Sequence, residues 1–479
     1  MKKTLCLILA IILASAGLCS CGLIVINSPS VETDSSPVTD TPVTEPTGTE
    51  TEYRKIVKDT SLRASEYLAT IENANYEKSV VKIASAYPDL SDAENAPQVI
   101  SYAVAERNAL VNDKLGVELF TQKADAATIA DTVKANAKSG MYYADLLMIP
   151  QRSVASLAAS GVLFNLRSLP KLDLSAPYFN ASSVAAGAAG YDSYAVAGEA
   201  TYAPHTMWGT FFAKDRLASV TDVSPYELVK AGKWTFDAYY SLVAEAGEYA
   251  TLSTGKWGDE AVDACWFAAG KTLMSAGVRK YPLIAINSAT ADADLSLFMP
   301  MFTDSRALCR DRGGTGAFVS SALFMTDRLD AMYSLASCGI GWGLLPMPKA
   351  SEDQEKYITL ASGDSLMIAV PSVLLSDVRT SQVLRAICAA SAGRIPQAFV
   401  DHAQTTLLCD NESAIMLDTI LANVRYDFAY TVGDDYPATF SATAFALRNA
   451  VFDGESAEAT IEYYRYACES ALAAAFPND

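Results

Sequence analysis

Short apolar runs alternate with stretches of helical period over most of the chain. Residues 79–84 (SVVKIA) are rich in β-branched side chains and read as a strand. Residues 93–114 repeat Val99, Tyr102, Ala103, Leu110 and Val111 near a 3.6-residue period, which predicts a helix stopped by Gly116. The pattern then predicts a strand at 117–121, a helix at 125–139 stopped by Gly140, and a buried parallel strand at 144–149 (ADLLMI). A helix at 153–160 ends at Gly161. Strands are expected at 194–203 and 206–213, and a helix at 224–231 with Pro225 in its first turn. Thr235 is the expected N-cap of a helix at 236–246. Further strands are expected within 317–325 and at 339–346 and 365–370, with helices at 327–337, 380–392, 412–423 and 457–475. This alternation predicts an α/β chain with a mostly parallel sheet covered by helices.

The N-terminal stretch differs from this body. Lys2 and Lys3 precede an apolar run from Leu5 to Leu18, the form of an export signal and too short for a membrane span. Leu18-Cys19-Ser20-Cys21 resembles the lipobox of bacterial lipoproteins, which makes Cys21 the lipidated first residue of the mature chain; an ordinary secretory signal is the alternative. Residues 22–52 hold seven Thr, four Ser, four Pro and six acids without a Lys or Arg. Such a stretch buries too little to offset its ordering entropy and reads as an extended tether.

Composition narrows the function. The chain of 479 residues is 51% hydrophobic and carries a formal charge of -19, so phosphate-rich partners such as nucleic acid are repelled. Two histidines, His205 and His402, leave no His-rich metal centre. Neither a metal nor a cofactor is expected. Beyond the signal, Cys265, Cys309, Cys338, Cys388, Cys409 and Cys468 form no C-x-x-C pair. No G-x-S-x-G, H-E-x-x-H or G-x-G-x-x-G occurs, so no catalytic residue is assigned. Gly270-Lys271-Thr272 mimics the end of a phosphate loop, but the first glycine of that motif is replaced by Cys265. The adjacent acids Asp259-Glu260 and Asp434-Asp435 do not by themselves define the carboxylate pair a glycosidase needs.

Six segments in order carry a family resemblance. They are Glu106-Arg107-Asn108 with Lys114-Leu115-Gly116-Val117; Tyr143-Ala144-Asp145-Leu146-Leu147; Gly161-Val162-Leu163-Phe164-Asn165-Leu166; Phe211-Phe212-Ala213-Lys214-Asp215-Arg216-Leu217; Gly232-Lys233-Trp234-Thr235-Phe236-Asp237; and Leu345-Pro346-Met347-Pro348-Lys349 followed by Gln354-Glu355-Lys356-Tyr357. Together they resemble the extracellular solute-binding proteins of ABC importers, in particular the family 1-like carbohydrate type. Ala213 departs from the usual Asn, and Met148-Ile149-Pro150 lacks an aromatic that many sugar binders carry.

The resemblance implies a type II periplasmic-binding-protein-like α/β fold. Two lobes, each a mixed sheet flanked by helices, would enclose a cleft. Lobe 1 would take residues 53–195 and 357–410, and lobe 2 residues 196–356 and 411–479. The implied role is capture of a small solute, a sugar or oligosaccharide, for ABC permease subunits by a lipid-anchored monomer on the extracellular face of the membrane. Candidate ligand contacts are Asp145, Gln151 and Arg152 at and after a strand end, Trp208, Phe212, Asp327, Arg328 and Trp342. Trp257 and Trp266 are further aromatics that could line the cleft, whereas Trp234 reads as core and His205 as a crossover residue. The rival readings are a membrane-anchored extracellular hydrolase and a degenerate binding protein serving as an adhesin or sensor partner.

Overall fold

The computed structural model describes residues 62–87, 90, 96–247, 251–254, 258–277, 280–309, 313–408 and 410–476. The signal segment, Cys21, the tether, Trp257 and Cys409 lie outside the described residues. The described residues form one compact unit.

Two five-stranded sheets organise it. Their strands, in chain order, are β1 (Ser79–Ser85), β2 (Val117–Lys123), β3 (Leu146–Pro150), β4 (Ala195–Val196), β5 (Trp208–Ala213), β6 (Thr251–Thr254), β7 (Ala307–Leu308), β8 (Ala322–Arg328), β9 (Trp342–Leu345) and β10 (Leu366–Ala369). The first sheet has the order β2-β1-β3-β10-β4 and the second β7-β6-β8-β5-β9. In the first, β1 runs parallel to β2 and β3, and β10 runs antiparallel to both β3 and β4. In the second, β6 runs parallel to β7 and β8, and β5 runs antiparallel to both β8 and β9. Both sheets thus carry one reversed strand in the same place. The mostly parallel sheet of the sequence reading becomes a mixed one because each reversed strand enters its sheet from the other.

Helices cover both faces of the first sheet, as its fully buried β3 requires. Val81, Ile83, Leu146, Met148, Leu366 and Ile368 face a core shared with Val104, Val111, Leu384 and Ile387. Alternate residues Ala84, Leu147, Ile149, Met367 and Ala369 face the second core, which continues into the other sheet. The helix Gln98–Leu115 ends at Gly116, whose φ of 62° and N–H bond to Asn112 close it. A Cβ there would lie 2.5 Å from Asn75 Oδ1, so both space and backbone call for glycine.

Several predicted boundaries shift for local reasons. The 93–114 helix starts at Gln98, after Pro97. The 125–139 helix starts at Ile129, because Asp125 Oδ1 accepts from Ala127 and Thr128 N–H and holds a turn instead. Residues 194–203 form strand only at Ala195–Val196; Glu199–Thr201 is a 3-10 turn that begins the passage to the second sheet. The helix expected at 327–337 is confined to Ala331–Leu335, because β8 runs on through Arg328. Thr235 does cap Phe236–Glu245, accepting from Ala238 N–H at 3.2 Å.

The chain passes between the sheets through residues 197–207 and returns through 346–365. These crossovers bond to one another. Ser362 N–H donates to Thr206 O at 3.0 Å, Ser365 Oγ to Thr206 Oγ1 at 2.7 Å, and Trp208 N–H to Thr359 Oγ1 at 2.9 Å. After Asp377–Ser391 and Arg394–His402 beside the first sheet, Asn411–Leu421 lies against β9, where Ser413 Oγ accepts from Leu344 N–H. The C-terminal helices Ala444–Asp453 and Ala457–Ala475 pack on helices of the second sheet.

Candidate functional site

Carboxyl-terminal strand edges of the two sheets converge where the crossovers meet. β3 ends at Pro150, opposite Leu366 at the start of reversed β10. β8 ends at Arg328, opposite Trp208 at the start of reversed β5. Open α/β sheets place ligands at such edges.

A chain of ion pairs spans the gap. Arg152, just after β3, pairs with Asp364 on the return crossover. Asp364 Oδ2 also accepts from Arg328 Nη1 at 3.0 Å. The other end nitrogen of Arg328 pairs with Glu260 at the start of helix Glu260–Ala268. Burial grades along this chain: the side chains of Arg152 and Asp364 are 38% and 24% exposed, those of Arg328 and Glu260 only 6% and 12%. Burial pushes the Glu260 carboxyl up, and the Arg328 and Arg448 charges oppose that.

One helical turn further, Asp263 is fully buried. It accepts from Arg448 Nη2 at 2.5 Å and Nε at 3.2 Å, a two-point pair, and from the Tyr430 hydroxyl at 2.5 Å. Burial works against the Arg448 charge, yet Asp263 holds that guanidinium above its ordinary range. Burial, reinforced by Asp263, raises the Tyr430 phenol. Residues 428–435 reach across to the first sheet's loop. Gly433, with φ of 56°, sits on the Arg152 main chain, where a Cβ would lie 2.5 Å from Arg152 O. Lys134 and Asp435 approach to 3.8 Å.

Around the ion pairs, several buried neutral polar atoms lack hydrogen-bond partners among the described residues. They are Gln151 Oε1, Trp208 Nε1, Ser362 Oγ and Thr326 Oγ1. Gln151 is held by its own amide nitrogen, which donates to Ala361 O at 2.7 Å and Ser362 O at 2.6 Å. Trp208, Arg328 and Thr326 share one face of the second sheet, being cross-strand partners or two residues apart. Orphaned buried polar atoms are costly unless something else satisfies them.

His205 lies on the first crossover, its ring 5.2 Å from that of Tyr87. Burial and the Arg328 charge depress its pKa to about 4, against an ordinary 6.5. The unfolded chain therefore takes up this proton first as pH falls, and the folded state loses stability between those values. At ~1.4 kcal/mol per pKa unit the fall from 6.5 to about 4 corresponds to a loss of roughly 3.5 kcal/mol from this group. Urea unfolding of the wild type and His205→Asn at pH 7, 5.5 and 4.5 should show a shallower decline in the variant; parallel declines would remove His205 as the cause.

Gln151, Arg152, Trp208 and Arg328 are thus brought together. The other sequence candidates are placed elsewhere. Asp145 precedes β3 and lies at the opposite strand end from Arg152, a correction to its expected position. It is fully buried, accepting from Lys82 N–H at 2.9 Å, the Tyr142 hydroxyl at 2.6 Å and Arg379 Nη2 at 2.8 Å. Asp327 lies on the other face of β8 from Arg328 by strand alternation. Phe212 and Trp342 sit at the far end of β5 and β9, where Trp342 pairs with Ala213. There Phe212 packs edge-on to Tyr226 at 5.2 Å, and Trp342 Nε1 donates to Leu335 O at 3.0 Å. Trp234 and Trp266 are buried with their indole N–H groups satisfied by Pro346 O and Thr272 O.

Sequence reasoning missed Asp364, Asp263, Tyr430 and Arg448, and set Glu260 aside. A signal existed for two of them. Asp263 and Arg448 are lone charges inside apolar helical stretches (AVDACWFAA and AFALRNAVF), which calls for a buried partner. Asp364, in the loop Ser362-Gly363-Asp364-Ser365, carried none.

No family model matches the chain, and no curated protein sequence matches it. Solved structures do. A cyclic alpha-maltosyl-1,6-maltose binding protein from Arthrobacter globiformis superposes with a TM-score of 0.55 at 13% identity, over 82% of this chain and 98% of that one. A cyclo/maltodextrin-binding protein solved with maltotetraose gives 0.54 at 13%, over 82% and 97%. A family 1 extracellular solute-binding protein from Bifidobacterium longum subsp. infantis gives 0.52 at 14%, over 82% and 99%. The fold is therefore the two-lobed periplasmic-binding-protein-like α/β fold. Among the described residues no helix is long and apolar enough to cross a membrane, and no cluster of acids, Cys and His is arranged to hold a metal ion.

Proposed function

We propose that this chain is the solute-binding component of an ABC import system and captures an uncharged polyhydroxylated solute, a sugar or oligosaccharide, where the two sheets' strand ends meet. The observation that carries this reading is the buried set of unpaired neutral donors and acceptors at Gln151, Trp208, Ser362 and Thr326, beside arginine–carboxylate pairs whose charges offset one another. Sugar hydroxyls both donate and accept, so they complement such a set. The structural neighbours described as binding cyclic alpha-maltosyl-1,6-maltose, cyclo/maltodextrin or an extracellular solute support the same class. On this reading residues 53–195 with 357–410 form lobe 1, and 196–356 with 411–479 form lobe 2. The lobes close on the solute about the bonded crossovers. Cys21 carries the lipid that holds a monomer on the extracellular face of the membrane, and permease subunits receive the solute.

The test is a ligand screen of Thr51–Asp479 by thermal shift and calorimetry, with maltose, maltotetraose, cyclic maltosides, amino acids and peptides. A sugar present at 100 times its Kd should add about 2.7 kcal/mol of stability, with the sugar recovered intact. Hydrolysis products that vanish on mutating one acid would turn the reading into the anchored hydrolase. Absence of any stabilising solute would favour the adhesin or sensor role.

A further inference from the structure

Among the described residues, Asp364 is the carboxylate that pairs with an arginine from each of the two sheets. It meets Arg152, at the end of the first sheet's central strand, and Arg328, at the end of the second sheet's. It belongs to neither sheet, lying on the return crossover just before β10. Arg328 is further engaged by Glu260, and Arg448 by Asp263. Three guanidiniums are thereby matched in charge by three carboxylates within one partly buried cluster, and the unpaired atoms around it include an indole N–H, an amide oxygen, two hydroxyls and one oxygen of Glu260.

We propose that Asp364 sets the charge selectivity of the cleft: by neutralising Arg152 and Arg328 together it denies an anionic solute its guanidinium partners and leaves the site open to uncharged ones. This rests on the reading of the cleft as a solute site. The physical argument is one of competition. A guanidinium already paired at close range gains little from a second carboxylate, and an incoming anion must displace Asp364 or bury its charge against it. Removing that carboxylate shifts the local charge by one positive unit. It also frees Arg152, whose side chain is 38% exposed and so within reach of a solute. Glu260 and Asp263 cannot compensate, because each is held deeper by Arg328 and Arg448.

The test compares matched probes, glucose with glucuronate, on wild-type Thr51–Asp479, Asp364→Asn, and Asp364→Asn combined with Arg152→Gln, by calorimetry at low and high salt. Asp364→Asn is isosteric at a half-buried position, and its melting curve confirms folding. The variant should improve glucuronate binding relative to glucose by about 10–100-fold, the equivalent of one charge-assisted hydrogen bond of ~1.5–3 kcal/mol. The gain should shrink with salt and disappear in the double variant. Glucuronate binding that is as tight in the wild type as in Asp364→Asn, or no gain in the single variant, would overturn the proposal. Neutral sugar binding by the wild type without a glucuronate gain in the variant overturns this inference alone. A glucuronate gain in the variant with no neutral sugar bound by the wild type supports the charge role and removes the carbohydrate reading.

Discussion

Replacing Asp263 by Ala is expected to cost about 3–5 kcal/mol of stability, the range for breaking one side of a buried ion pair. Asp263 is fully buried and is the two-point partner of Arg448 as well as the acceptor of the Tyr430 hydroxyl. Its removal leaves a guanidinium and a phenol in the interior without their acceptor. The opposite design should behave differently. Replacing Asp263 by Leu and Arg448 by Met together removes both charges, and such swaps are often neutral because the desolvation penalty disappears with the pair. Urea unfolding of the two variants decides the matter. A loss under ~1 kcal/mol in Asp263→Ala would show that the pair is solvated in solution and that residues 428–435 are not anchored through it.

Trp208→Ala is expected to be equally costly, about 3–5 kcal/mol, as a large aromatic deletion from a closed core. The sequence reading treats Trp208 as a ligand contact lining the cleft. The structure revises this, because Trp208 has no exposed surface and belongs to the large continuous core. Its indole N–H nevertheless has no partner, which separates two roles that alanine would merge. Trp208→Phe keeps most of the ring volume and deletes only that donor. It should retain most of the stability and weaken sugar binding several-fold, about 0.5–1.5 kcal/mol for one neutral hydrogen bond. Unchanged affinity in Trp208→Phe would remove the indole from the site, and a Trp208→Ala melt indistinguishable from wild type would contradict the buried placement.

These cases show how far the chain could be read unaided. The β-rich run at 79–84, the apolar run ending at Ile149, Gly116 and Thr235 each had a local cause, and each appears in the structure as a strand, a strand, a helix stop and a helix cap. Errors fell where local pattern competes with distant pairing. Residues 194–203 have strand-like composition, but only Ala195–Val196 finds a partner strand, in β10 from far along the chain. Local pattern makes Asp327 and Arg328 a helix start, because nothing local extends β8, whereas pairing with Gly209 and Trp208 does.

By itself the sequence determined the alternating α/β character and the positions of most helices and strands. Those features depend on periodicity, capping and composition over a few residues. Only the tertiary structure decided which strands share a sheet, which strand in each runs backwards, and which charges meet. Asp364 reaches Arg152 and Arg328 across more than two hundred positions and across a smaller gap of thirty-six. Asp145 and Arg152 lie seven positions apart yet at opposite ends of one strand. Contacts of this kind arise from loop closure and sheet order, and no window of neighbouring residues records them.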